Sequence, residues 1–365
     1  MTDRKRKLRL GVIGAGSWAL ASHMPNLLRR RDELQFVGVC RHGAAALQKI
    51  ASDYGFQVAS EDYRDVIAAG IDICVVSSPS ALHYEHAMAA LNAGAHVLIE
   101  KPVTIDPAQA WRLVDTAAAA GLELVCSFGW NYLPILRAAR DLFERVGIGE
   151  VEQLTITMSS VTRELLANLG SYPDADPDLL PEARTWTDPA LSGGGYGQAQ
   201  LSHALGLALW ITGLRGAEAF AFMQSALGAP VELYDAIAVR YDNGAIGTIA
   251  GGAAHQGYDA NKHQLEIRAI GSEGHFACDL QREMVWLYRP DGHDIRLELQ
   301  PGDALYNDDG PPNALVDLAL GRDVENCSPG ELGARTVELL DAAYRSARTH
   351  GPEPVSVSRA TTAEA

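Results

Sequence analysis

LRLGVIGAGSWALASHMPNLLRR, residues 8–30, runs from an apolar β-like stretch through a glycine turn into a helical pattern. Gly14 permits the tight turn, Gly16 lets backbone approach a pyrophosphate, and Ala19 stands where a third glycine would allow close helix packing. A GxGxxA pattern alone is weak. Here it follows a β run, precedes a helix and heads a βαβ series, which makes it a dinucleotide-binding turn. The pyrophosphate is expected at the positive end of the helix that begins near Ser17 and Trp18.

The next apolar run ends in VGVCRHG, residues 37–43. A site for NAD places Asp or Glu about 20 residues past the glycines, to bind the ribose 2′-hydroxyl. This chain has Arg41 there, and a guanidinium pairs with a 2′-phosphate, so NADP is favoured over NAD. His42 reads as a solvated loop residue.

From Leu8 to Val125, short β-like runs alternate with helical patterns, the signature of a parallel, doubly wound sheet covered on both faces. After residue 150 the texture changes to alternating strands with few helices between them, and Asn243-Gly244 marks a hairpin. The expected fold is therefore an α/β Rossmann domain over 1–125 and an α+β domain over 126–365. The second domain carries a large, mostly antiparallel open sheet. A long connection over 161–192, rich in Pro, Asp and Leu, reads as a lid or an oligomer arm. The tail from Pro354 is expected to fray.

With 365 residues the chain has room for two domains of roughly 100–200 residues each. Its 46 acidic against 30 basic residues leave a formal charge of -16, and no basic stripe is interleaved with aromatics. Nucleic acid and anionic membranes are therefore excluded as partners. No signal-peptide pattern and no membrane-length apolar run is seen. The five cysteines, an odd number without a CxxC pair, read as reduced buried thiols in a cytoplasmic protein.

A second motif lies in SSPSALHYEHAMAALNAGAHVLIEKPVT, residues 77–104. One strand ends at Ser77, Ser78 and Pro79, and the next ends at Glu100, Lys101 and Pro102. Ligands in doubly wound sheets bind beyond the carboxyl ends of the strands. A lysine there, partly desolvated and close to the positive nicotinamide ring of an oxidised cofactor, has a lowered pKa and is a proton acceptor near neutral pH. A third motif, GGGYGQAQLSH at 193–203, adds His203 to the candidates.

Together these segments, with GWN at 129–131, resemble the Gfo/Idh/MocA family, the glucose-fructose oxidoreductase and inositol dehydrogenase group. The resemblance spans nearly the whole chain. It implies that the lysine of EKP is catalytic and that the glycine-rich segment starts a helix whose Asp and His face the nicotinamide. By position these are Lys101 and His203, but the aspartate falls on Ala199 and a further family aspartate on Gly206. The resemblance places His83, Glu100 and Asn131 beside the cofactor with Ser78 and Pro79, and implies a homodimer or homotetramer.

Lys101 and His203 are thus the two candidate proton-exchanging groups. Tyr196, Gln198 and Gln200 are candidate hydrogen-bonding groups. Trp130, Arg163, Arg184 and Trp186 are candidates to face substrate, since aromatics stack on sugar faces and arginines bind hydroxyls or anions. His83 and His86 have an HxxH spacing without a third ligand, so no metal is expected. The first functional expectation is an NAD(P)-dependent dehydrogenase or reductase acting on a secondary hydroxyl of a sugar, glycoside or cyclitol. The alternatives are a nicotinamide-dependent glycosidase working by transient oxidation and elimination, and a catalytically silent dinucleotide or sugar sensor.

Overall fold

The computed structural model describes residues 6–171, 180–255 and 263–355. Six strands form a parallel sheet: β1 (Leu8–Ile13), β2 (Leu34–Cys40), β3 (Val58–Ser60), β4 (Ile73–Val76), β5 (His96–Ile99) and β6 (Leu124–Cys126). Their order is β3-β2-β1-β4-β5-β6. β4 is buried at every residue, because a parallel strand flanked by helices has no solvent face. The order reverses between β1 and β4, and the crevice beyond those strand ends is where such sheets bind ligands.

The remaining strands form a second sheet: β7 (Val151–Ser160), β8 (Gly216–Gln224), β9 (Tyr234–Tyr241), β10 (Ile246–Ala253), β11 (Gln264–Gly271), β12 (Gly274–Asp279), β13 (Met284–Arg289), β14 (His293–Leu297) and β15 (Glu353–Pro354). The order is β14-β13-β12-β11-β7-β10-β9-β8-β15. Only β7 and β10 pair in parallel; the other pairs are antiparallel. β9 alternates buried and exposed residues along its length, as a sheet with one covered face requires. The β9–β10 hairpin turns at Asn243-Gly244. Only Gly244 takes a positive φ, 89°; the Asn243 carboxamide instead accepts from Ala245 N at 3.0 Å and donates to the Val151 carbonyl at 2.9 Å.

The covered face of this sheet packs on the helix Ser202–Thr212, buried at every residue up to Ile211, and on the long helix Gly330–Thr349. The latter also packs on Pro107–Ala120 of the first domain and so ties the two sheets together. The helix Gly310–Ala319 returns to the first sheet, where Leu315 and Val316 join a core with Leu10, Val12, Ile73 and Leu98. Residues that follow the second sheet in sequence therefore complete the core of the first.

Within the expected lid the described parts form three short helices, Arg163–Leu166, Arg184–Thr187 and Pro189–Ser192. Residues 172–179 of that connection and the tail from 356 lie outside the described residues. All five cysteines are free and buried. Among the described residues no helix is long and apolar enough to cross a membrane, and no group of three or more His, Cys, Asp or Glu could hold a metal ion.

Candidate active site

The glycine turn sits at the carboxyl ends of β1 and β2, where Gly14 N and Ala15 N both donate to the Cys40 carbonyl, at 2.9 and 3.1 Å. Gly14 has φ 86°, and a Cβ there would run into the Ser78 backbone. At Gly16 a Cβ would meet nothing nearer than the Gly14 carbonyl at 3.9 Å. The approach to the amides at the start of the following helix, residues 17–29, is therefore open, and these residues fit a dinucleotide pyrophosphate. Arg41 Nη1 donates to the Ala15 carbonyl at 3.2 Å, which lays its guanidinium over the turn. Sequence alone put no carboxylate beside it. The loop after β3 reaches the same segment, where Glu61 accepts from Gly43 N at 2.8 Å.

Glu100, at the end of β5, is an internal anchor. Its carboxylate accepts from Trp18 Nε1 at 2.8 Å, lies 2.7 Å from His23 Nε2, and accepts from Lys101 N at 3.1 Å. Burial opposes its charge, yet His23, Lys101 and Ser127 outweigh burial and hold it at about 2. One carboxylate thus ties the glycine-turn helix to the Lys101 loop. Both its oxygens are engaged by protein groups.

Lys101 Nζ donates to the Ala199 carbonyl and lies 5.6 Å from the centre of the Trp186 ring. Burial pushes its pKa below the ordinary lysine value, against the opposing pull of Glu100 and Cys126. At the position where the resemblance implies an aspartate, the main chain itself supplies the acceptor. Ala199 lies in a wide π-turn, Gly197–Leu201, in which Ser202 N reaches back to the Gly197 carbonyl. Such turns displace the carbonyl ladder and are frequent at functional sites.

The glycines of GGGYG serve the packing beneath this helix start. A Cβ on Gly194 would strike the Tyr344 ring, one on Gly195 the Glu232 backbone, and one on Gly197 the Tyr344 hydroxyl at 2.7 Å. Glu232 fills the space so created. Its carboxylate accepts from Gly195 N at 2.8 and 2.9 Å, Gly197 N at 3.1 Å and Tyr344 Oη at 2.6 Å. Beside it, burial and the Glu232 charge push the Asp235 carboxyl well above the ordinary range. Gly195→Ala is expected to cost about 1–3 kcal/mol of stability and to lower turnover further by displacing Ala199 and His203. Denaturant unfolding and steady-state rates on one preparation check both effects.

His203 lies on the helix Ser202–Thr212, facing the aromatic rings of Phe128, Trp130 and Tyr306 at centroid distances of 6.0, 5.3 and 5.8 Å. Burial, then Lys101 and His263, push its pKa well below the ordinary histidine value. It is neutral at physiological pH, so Lys101 is the group of the pair left to ionise there. Two residues that the sequence reading did not single out join the site, His263 just before β11 and Tyr306. The Trp130 ring lies 5.3 Å from His263 and 4.9 Å from Tyr306, both edge to face. Among the described residues, Trp130 Nε1, His203 Nδ1 and His263 Nδ1 are buried without a hydrogen-bond partner.

These positions give each expected residue its protein contacts, and for Tyr196 and Trp130 they correct the expectation. Tyr196 is wholly buried, its hydroxyl donating to the Met158 carbonyl at 3.1 Å and accepting from Ser160 Oγ, so it ties the helix to β7 instead of meeting substrate. Trp130 is only 2% exposed; enclosed by rings, it is the hub of the cluster and offers no stacking face. Asn131 is fully buried; its Nδ2 donates to the Cys327 carbonyl at 3.0 Å, tying its turn to a distant segment, and its Oδ1 has no partner among the described residues. The two His83 nitrogens lie 2.7 Å from the Ser78 carbonyl and 2.8 Å from the Pro102 carbonyl, so this residue joins two loops. His86 turns to Ser78 Oγ at 2.9 Å. Arg163 pairs with the Tyr234 hydroxyl, and Arg184 with Asp188 at 3.3 Å on the surface. Gln198 and Gln200 are buried in the π-turn, and Pro79 is half-buried before the turn Ser80–Leu82. Of the four candidates to face substrate, Trp186 is the one placed against Lys101.

A family model described as "Oxidoreductase family, NAD-binding Rossmann fold" matches residues 8–128, and one described as "GFO/IDH/MocA C-terminal domain" matches residues 136–277. The chain belongs to the Gfo/Idh/MocA family of oxidoreductases. It is 34% identical over 145 residues to the D-glucoside 3-dehydrogenase of Escherichia coli K12, covering 40% of this chain and 41% of that one. To the dTDP-3,4-didehydro-2,6-dideoxy-alpha-D-glucose 3-reductase of Streptomyces antibioticus it is 26% identical over 308 residues, covering 84% and 85%. The chain spans about half the length of several other curated relatives it matches, 46% to 56%. Among solved structures, the WlbA dehydrogenase of Bordetella pertussis in complex with NADH and UDP-GlcNAcA has the same fold. Its TM-score is 0.75 at 24% identity, over 96% of this chain and 100% of that one.

Proposed function

We propose that this member of the family is a nicotinamide-dependent dehydrogenase or reductase acting on a secondary hydroxyl or ketone of a sugar, glycoside or cyclitol. The observation that carries the reading is the placing of Lys101. It stands at a strand end in the crevice of a dinucleotide-binding sheet, desolvated, its Nζ bonded to a main-chain carbonyl. The bound nicotinamide supplies hydride acceptance and donation. In oxidation the substrate hydroxyl gives its proton to neutral Lys101 Nζ as hydride leaves the carbon; in reduction ammonium Lys101 returns it. The Ala199 carbonyl holds the amine in place, and neutral His203 offers a hydrogen bond to the reacting hydroxyl. Tyr306, Trp130 and Trp186 surround these groups with apolar surface, which keeps the lysine short of water.

The cofactor in this reading is NADP in preference to NAD, supported by the Arg41 guanidinium above the glycine turn. A homo-oligomer is supported by the outer face of the second sheet, where Phe222, Ile246 and Ile270 are exposed at 68, 53 and 50%, an apolar face that a second copy would cover. A cytoplasmic setting is supported by five reduced, buried thiols. Purified protein given NADP⁺ or NAD⁺ with a panel of sugars, glycosides and inositols tests the function. Reduced cofactor accumulating in step with a keto product, faster with NADP⁺, is expected. A glycoside cleaved without net reduced cofactor makes the protein a redox-assisted hydrolase, and tight ligand binding without turnover makes it a sensor.

A further inference from the structure

We infer that His263 is a substrate-contacting residue which, with His203, holds neighbouring hydroxyls of a polyhydroxylated ring, so that the preferred substrate carries a free hydroxyl beside the carbon that reacts. The inference rests on the function proposed above and narrows its substrate class. It stands on geometry. The two imidazoles flank one indole, each 5.3 Å from the Trp130 ring centre and nearly perpendicular to it, at 84° and 85°. His263 comes from the start of β11 and His203 from the helix across the site, so two distant elements deliver the same chemistry to one small volume. Among the described residues, Nδ1 of each ring is buried without a partner, as is the indole Nε1 between them.

Electrostatics says in which form the imidazoles act. Burial, then the Lys101 charge, brings His263 down to about 4, and His203 also feels Lys101. Both are neutral at physiological pH. A neutral imidazole has one N–H and one lone pair, so each ring can accept from one hydroxyl and donate to another. Three such polar atoms, two of them on imidazoles that feel the Lys101 charge, are complementary to a ring bearing several hydroxyls rather than to an apolar or cationic ligand. A purely structural aromatic cluster would be served as well by phenylalanine at 263. That difference makes the idea testable.

The experiment compares the wild type with His263→Phe, which keeps the packing against Trp130, and His263→Asn, which restores a donor and an acceptor. Each is given the best sugar of the panel and the series of its monodeoxy analogues. In the wild type, one analogue lacking a hydroxyl next to the reacting carbon should lose at least ~10-fold in kcat/KM, because its removal strands a buried polar group. In His263→Phe the parent sugar should fall by a similar factor while that analogue is unaffected, so this one discrimination vanishes and the others persist. His263→Asn should recover part of it. An unchanged discrimination profile in His263→Phe, or an equal loss with every substrate, overturns the inference. If the wild type turns over no sugar, the proposed function fails separately. The same series is then read as binding, by quenching of tryptophan fluorescence in the NADP-loaded protein. Loss of one deoxy discrimination in His263→Phe supports the contact, whereas indifference to the substitution, or no sugar binding at all, overturns it.

Discussion

Replacing Lys101 by methionine is expected to lower turnover by ~10² to 10⁴, the usual contribution of a positioned proton acceptor, with cofactor affinity nearly unchanged. Methionine keeps the length and apolar stem that lie against Trp186 and removes only the amine. The dinucleotide turn is left alone, because Glu100 grips the glycine-turn helix through Trp18 and His23, and takes Lys101 only by its backbone N–H. The pH profile supplies a second signature. Burial lowers the Lys101 pKa, so oxidation in the wild type should rise with pH and level off below the ordinary lysine value of 10.5. In Lys101→Met that rise should disappear. Near-normal turnover, or an intact alkaline rise in the variant, would remove Lys101 from the chemistry.

Glu100→Gln is expected to remove a large part of the acid sensitivity of folding. The folded carboxyl sits at about 2 against an ordinary 4.5, so the folded state binds this proton more weakly than the unfolded chain. The stabilisation is therefore fully present above about pH 5 and lost as pH falls towards 2; it amounts to ~3 kcal/mol at about 1.4 kcal/mol per tenfold. Glutamine can still accept from Trp18, but its NH₂ would face the Lys101 N–H, so the variant should also be less stable at neutral pH. Denaturant unfolding at a series of pH values reads both effects. An acid limb as steep as that of the wild type would show that the charge of Glu100 is not what the fold depends on.

The first domain was legible because its signals are local. A β run, Gly14, Gly16 and a helix start lie within one continuous stretch, and EKP stands at the end of the next-but-one parallel strand. The second-domain sheet was legible as alternation, down to the Asn243-Gly244 hairpin. What the sequence did not disclose depends on distant partners. The glycine triplet announces a close approach without saying to what: Glu232 lies 37 residues beyond Gly195, and Tyr344 a further 112 beyond Glu232. Tyr196 reads as a polar site residue, yet its hydroxyl has a strand carbonyl to bond, so it is core. Ala199 looks like a missing acid because only side chains are visible in sequence, whereas the acceptor for Lys101 is its main-chain oxygen. His263 had one signal available, a histidine opening an alternating strand, HQLEIRAI, at the end of the sheet nearest the site. Its pairing with Trp130 becomes evident only once β11 lies beside β7.

In the proposed reaction, hydride moves between a ring carbon of a polyol and a bound nicotinamide while Lys101 takes the hydroxyl proton. The most direct measurement uses the best sugar of the panel deuterated singly at each ring carbon, with NADP⁺, and follows the label by mass spectrometry. Deuterium from one carbon is expected to appear in accumulating NADPH, in step with a ketone at that carbon. Label retained in the sugar, with the substrate cleaved or unchanged and no reduced cofactor formed, would contradict it.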